Sequence, residues 1–136
     1  MTINEIDIGQ SASFTKTITE TDIYLFAGIT GDLNPAHINE EYAKNTIFKT
    51  RIAHGGLISG LISTVLGMYL PGPGTVYLKQ DTKFLAPVKI GDTVTATVTA
   101  KEKYEEKNRI LFDCEVTNQD NIIVITGEAL VMPPKI

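Results

Sequence analysis

The sequence predicts an α+β fold in which a curved, largely antiparallel sheet wraps around one long buried helix. Residues 56–70 are apolar almost all round and are followed by the helix-breaking sequence PGPG at 71–74. This pattern is typical of a helix that is buried on most sides. Four later segments are rich in Val, Ile, Thr, Tyr and Phe, which predicts strands, and they span residues 75–84, 93–101, 109–117 and 122–131.

The amino-terminal third is predicted to contain one strand and two short helices. Residues 11–19 alternate in part between apolar and polar side chains, as in a half-buried strand. The apolar spacing that follows predicts a helix that Thr21 caps and Gly31 ends. Asn39 is predicted to cap a second, brief helix, with two acidic residues in its first turn.

The connections are predicted from their turn-forming residues. The segment GDLNPAH at 31–37 is predicted to be a shaped loop, because Pro35 has no N–H to donate and moves Asn34 out of the helical region. Residues 118–121 are expected to form a hairpin turn, and residues 102–108 a longer polar turn.

Length and composition limit the classes of function. The 136 residues predict one domain over 1–136 with a sizeable core, and the apolar share of 43% is ordinary for a globular protein. A net charge of -4 and the lack of a basic stripe argue against a nucleic-acid partner. We therefore look for a site for a small molecule.

The same sequence predicts a cytoplasmic protein that does not enter a membrane. The first residues lack the basic start and apolar run of an export signal. The apolar stretch 57–70 is shorter than the ~20 residues that a spanning helix needs. The single Cys114 cannot form an intramolecular disulfide, and its apolar, alternating surroundings predict a buried thiol in a reducing compartment.

The two histidines mark the candidate site. Asp32 precedes His37 by five residues, so the two can converge only if the Pro35 loop bends the chain. A carboxylate and an imidazole aimed at one point can hold a water and move its proton, which is the chemistry of hydration or dehydration. Asn34 lies between them and can orient the loop. The spacing alone is more typical of residues that only shape a turn.

The second cluster is AHGGL at 53–57, at the start of the long helix. The first N–H groups of a helix have no intrahelical partner, so the N–H of Gly55 or Gly56 can bind an oxygen that gains negative charge. By itself a glycine pair is a weak signal for a binding site. A histidine in the position of His54 is more often a helix-cap residue than a catalytic one. Asp32, His37 and His54 together also offer one carboxylate and two imidazoles, the ligand types of a non-haem iron site. Iron sites of that type usually have the carboxylate two residues after the first histidine, so we expect no metal.

The motifs resemble those of a known family. AGITGDLNPAH at 27–37 is similar to the hydratase motif of the MaoC-like (R)-specific enoyl-CoA hydratases. IAHGGL at 52–57 resembles the second signature of this family, and PVKIGDTV at 87–94 its usual strand connection. The resemblance covers nearly the whole chain and is to the short members that are associated with polyhydroxyalkanoate monomer supply.

The resemblance implies a hot-dog fold and a homodimer with active sites near the subunit interface. It implies that Asp32 and His37 hold the water that is added syn to a trans-2-enoyl-CoA, to give the (R)-3-hydroxyacyl-CoA. It further implies that the Gly55 N–H polarises the thioester carbonyl and that Ser63 lines the acyl pocket. No cofactor is expected, because coenzyme A is part of the substrate.

One departure from the family affects the expected substrate. The family often has a large residue where this chain has Gly56, so Gly56 is expected to loosen the helix start or widen the pocket. Short acyl chains such as the crotonyl group are expected. Three alternatives stay open at this point, namely a hot-dog thioesterase, a non-catalytic acyl-thioester binding module and a dehydratase that acts on acyl carrier protein.

Overall fold

The computed structural model describes residues 1–136 and contains five strands and four α-helices. In chain order they are β1 (Ser11–Thr17), α1 (Glu20–Thr30), α2 (Pro35–Ile38), α3 (Glu40–Ala43), α4 (Gly55–Met68), β2 (Val76–Phe84), β3 (Thr93–Tyr104), β4 (Arg109–Thr117) and β5 (Ile123–Met132). Short 3₁₀ turns lie at Ile3–Glu5 and Glu105–Lys107.

All five strands form one sheet in the order β1-β3-β4-β5-β2, and every pairing is antiparallel. The long helix α4 packs against β1, β2, β3 and β4. The predicted α+β arrangement, with one long helix on an antiparallel sheet, is therefore confirmed. No helix of the chain is long and apolar enough to cross a membrane.

The core lies between α4 and the sheet because each contributes one apolar face. In β3 every second residue from Val94 to Ala100 is buried, as the period of a strand requires. The helix contributes residues spaced three and four apart, and these are Ile58, Leu61, Ile62, Val65 and Leu66. As predicted, Cys114 is buried, and burial raises the pKa of its thiol to about 12.

Several predicted boundaries are wrong, and each has a local cause. Helix α1 is capped by Thr19 rather than Thr21, because Thr19 and Asp22 form a capping box with bonds of 3.1 and 2.9 Å. Strand β3 continues to Tyr104, so the turn that was expected over 102–108 is confined to 105–108. Gly31 does end α1, with a left-handed φ of 81°.

The segment at 31–37 is only partly a loop. Pro35 is the first residue of α2, where the missing N–H costs nothing and the fixed φ suits a helix start. Asn34 caps this helix, since its Oδ1 accepts a 3.1 Å hydrogen bond from the Ala36 N–H. The expectation of a shaped loop therefore holds for residues 31–34, and His37 lies within the helical turn instead.

Helix α4 begins one residue earlier than predicted, at Gly55, and ends at Met68. Its inner face is buried, but its stripe of small residues is not. Gly56, Gly60 and Ser63 are exposed in the single chain. The expectation of a helix buried on most sides is therefore wrong for this outer stripe in the single chain.

Candidate active site

Asp32 lies in the exposed loop that follows the end of α1. Its backbone N–H donates to the Thr30 hydroxyl at 3.2 Å, and its carboxylate accepts from the Asn34 N–H at 3.3 Å. Its carbonyl oxygen accepts a 3.0 Å hydrogen bond from Nε2 of His54. The loop is thus tied on both sides of Asp32, and the carboxylate stays open to the solvent.

His37 has one ring nitrogen that is engaged and one that is available. Its Nδ1 lies 2.7 Å from the carbonyl oxygen of Ile52. A carbonyl oxygen only accepts hydrogen bonds, so Nδ1 carries a proton. In the neutral ring the lone pair is then on Nε2, which is the arrangement of a histidine that accepts a proton or a hydrogen bond from its ligand.

His54 is buried between the two parts of the site. Its exposed fraction is 2%, and its ring lies 3.9 Å from that of His37 and 4.7 Å from that of Phe26, measured between centroids. Nε2 donates to the Asp32 carbonyl, and Nδ1 has no hydrogen-bond partner in the protein. These contacts place His54 beside both Asp32 and His37, and its role as a supporting residue of the site stays a prediction.

The start of α4 presents unpaired N–H groups to the same region. His54 is the cap residue but makes no side-chain cap bond, and neither the Gly55 nor the Gly56 N–H has a hydrogen-bond partner. A side chain at Gly55 would put its Cβ 2.7 Å from the ring of Phe84, so only glycine fits without a shift of that ring. The absence of a side chain at Gly55 therefore lets the Phe84 ring pack directly against the start of α4.

A cavity of about 430 Å³ joins His37 to Gly55. Ten of its thirteen lining residues are hydrophobic, as expected of a site for an acyl or thioester group. The residues on its walls include Phe48, Ile58, Phe84 and Val124. Sequence reasoning did not identify these wall residues or the Ile52 carbonyl, because nothing in their local pattern distinguishes them from core positions.

Gly56 and Ser63 lie outside this cavity in the single chain. At Gly56 the space of a side chain is taken by Phe26, whose ring atom would lie 2.9 Å from the added Cβ. Phe26 thus fills the space that a larger residue at this position would take, and the expectation that Gly56 widens the acyl pocket stays a prediction. Ser63 belongs to the exposed stripe of α4, and its place in an acyl pocket stays a prediction.

The polar groups of the site lie close enough to share one small ligand. One ligand atom from each of Asp32, His37 and His54 lies within 4.8 Å of the other two. A water that makes two hydrogen bonds of about 2.8 Å fits between groups at this separation. The same three side chains also have the donor types for a divalent metal, so the geometry alone fits either ligand.

Comparison with known proteins identifies the family. A model described as a MaoC-like domain matches residues 4–121. The chain belongs to the MaoC-like domain family. An R-hydratase from Pseudomonas aeruginosa has a similar structure, with a TM-score of 0.94 and 44% identity over 99% of this chain and 86% of that one. This similarity confirms the predicted hot-dog fold.

Two curated relatives within the MaoC-like family match almost the whole chain. An (R)-specific enoyl-CoA hydratase from Rhodospirillum rubrum is 58% identical over 132 residues, which are 96% of this chain and 90% of that protein. A 3-hydroxybutyryl-CoA dehydratase from Methylorubrum extorquens is 46% identical over 96% of this chain and 83% of that protein. The resemblance that the motifs at 27–37 and 52–57 predicted is thus confirmed.

Proposed function

We propose that this protein is an (R)-specific enoyl-CoA hydratase, which adds water reversibly to a short trans-2-enoyl-CoA such as crotonyl-CoA. The observation that carries the proposal is the close approach of Asp32 to His37, which lines the same cavity as Gly55. The names of the two relatives at 58% and 46% identity support the same reaction.

The water would be held by two hydrogen-bond acceptors. An ionised Asp32 carboxylate and the free Nε2 of His37 each accept one O–H of the same water. The lone pairs of the water oxygen are then left for the β carbon of the enoyl group. The new C–O bond forms at the β carbon while one O–H proton passes to the pair and is delivered to the α carbon. Delivery from the same side gives syn addition.

The negative charge that develops on the thioester oxygen would be stabilised by the Gly55 N–H. This group is unpaired in the protein and belongs to the first turn of α4, where the helix dipole also favours negative charge. Loss of one such donor costs roughly 10²–10³ in rate in other enzymes. Hydration is redox-neutral, so we propose that the reaction uses no redox cofactor. We also propose that it uses no metal, because the Gly55 N–H can supply the stabilisation of the thioester oxygen that a Lewis acid would give.

The reaction is tested with purified protein and crotonyl-CoA. We expect the absorbance of the conjugated double bond to fall and the product to be oxidised by an (R)-specific, but not an (S)-specific, 3-hydroxyacyl-CoA dehydrogenase. Release of free thiol would instead reveal a thioesterase, and binding without turnover would reveal a binding module. Comparing crotonyl-CoA with crotonyl acyl carrier protein decides which carrier the enzyme prefers.

We also propose that the working form is a homodimer. Strand β2 is at one edge of the sheet, and it exposes Val76, Leu78 and Phe84. An exposed edge strand with apolar side chains favours pairing with a second copy. Sedimentation of the purified chain should give about twice the 14.9 kDa mass of one chain, and Leu78→Lys should shift the protein toward the monomer. A monomeric wild type would contradict this.

A reducing compartment, the cytoplasm, is the proposed location. The single cysteine is buried in the core and has no partner within the chain. Fractionation of cells that express the tagged protein would test this directly.

A further inference from the structure

Arg51 lies outside the cavity, and each of its three guanidinium nitrogens has a polar partner. Its side chain is only 13% exposed, although it is charged. Nη1 donates to the Tyr24 hydroxyl at 2.9 Å, Nη2 lies 3.3 Å from Glu20, and Nε lies 3.3 Å from Glu40. One guanidinium therefore links α1, which precedes the Asp32 loop, to α3, which follows His37.

The Glu40 carboxylate fixes the backbone beside Arg51. It accepts hydrogen bonds from the Thr50 hydroxyl at 2.6 Å, the Arg51 N–H at 3.1 Å and Nε of Arg51 at 3.3 Å. The Thr50 hydroxyl and then the Arg51 N–H hold the pKa of Glu40 below its usual range, so the charge is favoured in the folded chain. Both ends of the Thr50–Arg51 pair are thus tied to one carboxylate.

The next residue, Ile52, binds the proposed catalytic helix turn through both its backbone groups. Its N–H donates to the Ala36 carbonyl at 3.3 Å, and its carbonyl accepts the proton on Nδ1 of His37 at 2.7 Å. The following N–H, of Ala53, donates to the Val88 carbonyl at 2.7 Å. Any displacement of residues 50–52 would therefore move the acceptor that sets the orientation of the His37 ring.

The shape of the guanidinium matters for this arrangement. Its planar fork can engage separate partners at fixed angles, which a lysine ammonium cannot reproduce. An ion pair with a half-exposed carboxylate, such as that of Arg51 with Glu20, contributes little to stability. The effect of such ion pairs should therefore be visible in geometry at the site rather than in the free energy of unfolding.

We propose that Arg51 is a positioning residue of the hydratase site. By holding Glu40 and α1 together it fixes residues 50–52, so that the Ile52 carbonyl keeps His37 in the form with the proton on Nδ1 and with Nε2 free. The inference deepens the proposed function and rests on it for the catalytic consequence. The structural consequence, the state of the His37 ring, can be measured without any substrate.

The kinetic test compares three variants with a matched control. Arg51→Met removes the guanidinium group, and Glu40→Gln removes the charge of one of its partners. Arg51→Lys keeps the positive charge but lacks the planar set of N–H donors. We expect kcat for crotonyl-CoA to fall about 10- to 100-fold in Arg51→Met and Glu40→Gln, with KM changed by no more than about twofold. Arg51→Lys should recover part of the loss. Glu41→Gln, which removes only an exposed pair with Lys44, should behave as wild type.

The spectroscopic test uses the fact that the chain has only two histidines. In ¹⁵N-histidine-labelled protein without substrate, His37→Gln assigns the two rings. Wild type should show His37 as the single neutral form with the proton on Nδ1. In Arg51→Met and Glu40→Gln the His37 signals should move toward a mixture of the two neutral forms, while those of Glu41→Gln should not move.

Two results would overturn the proposal. One is a folded Arg51→Met or Glu40→Gln protein that keeps kcat within about twofold of wild type. The other is a fall in kcat with no change in the His37 signals, since the effect would then not act through that ring. If Arg51→Met does not fold, Glu40→Gln decides alone. A wild type without hydratase activity would defeat the proposed function, whereas the ring signals would still test the positioning.

Discussion

The sheet with α4 and the segment that holds the site are stabilised in different ways. Twenty-four buried, apolar residues form one cluster between the helix and the strands. Between residues 31 and 52, by contrast, only Ala43 is buried, and hydrogen bonds between side chains and the backbone hold the chain. The core therefore gains its stability from burial, while the site gains its shape from a few directional bonds.

This difference predicts which mutations should affect stability and which should affect activity. A change in the core should lower stability and leave the chemistry of folded molecules nearly intact. A change that removes one of the hydrogen bonds of residues 31–52 should lower the activity of the folded protein and change its stability little.

The largest effect on stability is expected in the core. Ile62 is 1% exposed on the inner face of α4. Ile62→Ala should lower the free energy of unfolding by about 2–5 kcal/mol, because it removes buried methyl groups and leaves a cavity. Urea unfolding measures this change, and kcat below the transition should stay close to wild type. Ile47→Ala, at a position that is 86% exposed, is the control and should change stability little.

A smaller effect on stability, but a larger one on activity, is expected at the cap of α2. Asn34→Ala removes the bond to the Ala36 N–H and should cost about 1 kcal/mol of stability. Since the bond orients the turn that carries His37, kcat should fall about tenfold or more. Asn118 makes bonds of the same kind in the β4–β5 turn. An equal loss of kcat in Asn118→Ala would contradict the contrast.

The smallest effect is the dependence of the Glu40 contacts on pH. The pKa of Glu40 is lowered in the folded chain, so its contribution to stability is present above its ordinary value of 4.5 and is lost as pH falls through the lowered value. The difference in unfolding free energy between wild type and Glu40→Gln should therefore shrink below pH 4.5. Thr50 and Arg51 contact the Glu40 carboxylate, and Tyr24 and Glu20 contact Arg51 in turn. A difference that stays constant down to about pH 3 would contradict the assignment.

The sequence was sufficient for the regular parts of the fold because their signals are repetitive. The alternation in β3 and β4 and the apolar run in α4 each depend on many residues, so one misjudged position does not change the prediction. The predicted helix boundaries were wrong where a single capping hydrogen bond determines the boundary. Thr19 replaces Thr21 as a cap because Asp22 completes a capping box, and Pro35 starts a helix because Asn34 caps it.

The candidate site was predictable to the extent that it lies in short motifs. Asp32, His37 and Gly55 stand in such motifs, and the structure brings His37 and Gly55 to one cavity with Asp32 nearby. Their catalytic roles stay predictions. The Ile52 carbonyl, Arg51 and Phe84 were not predicted, since their parts depend on contacts between residues far apart in the chain. Ser63 lies on an outer face that a single chain leaves uncovered.

The central claim is that one water is held between Asp32 and His37 and is added to the enoyl group. The most direct measurement is kcat/KM for crotonyl-CoA hydration by Asp32→Asn, His37→Gln and the double variant, with thermal unfolding as the check on folding. Each single change should lower kcat/KM by about 10²–10⁴, and the double variant should lose little more, because the two groups act as a unit. Substantial activity that survives in both single variants would contradict the claim.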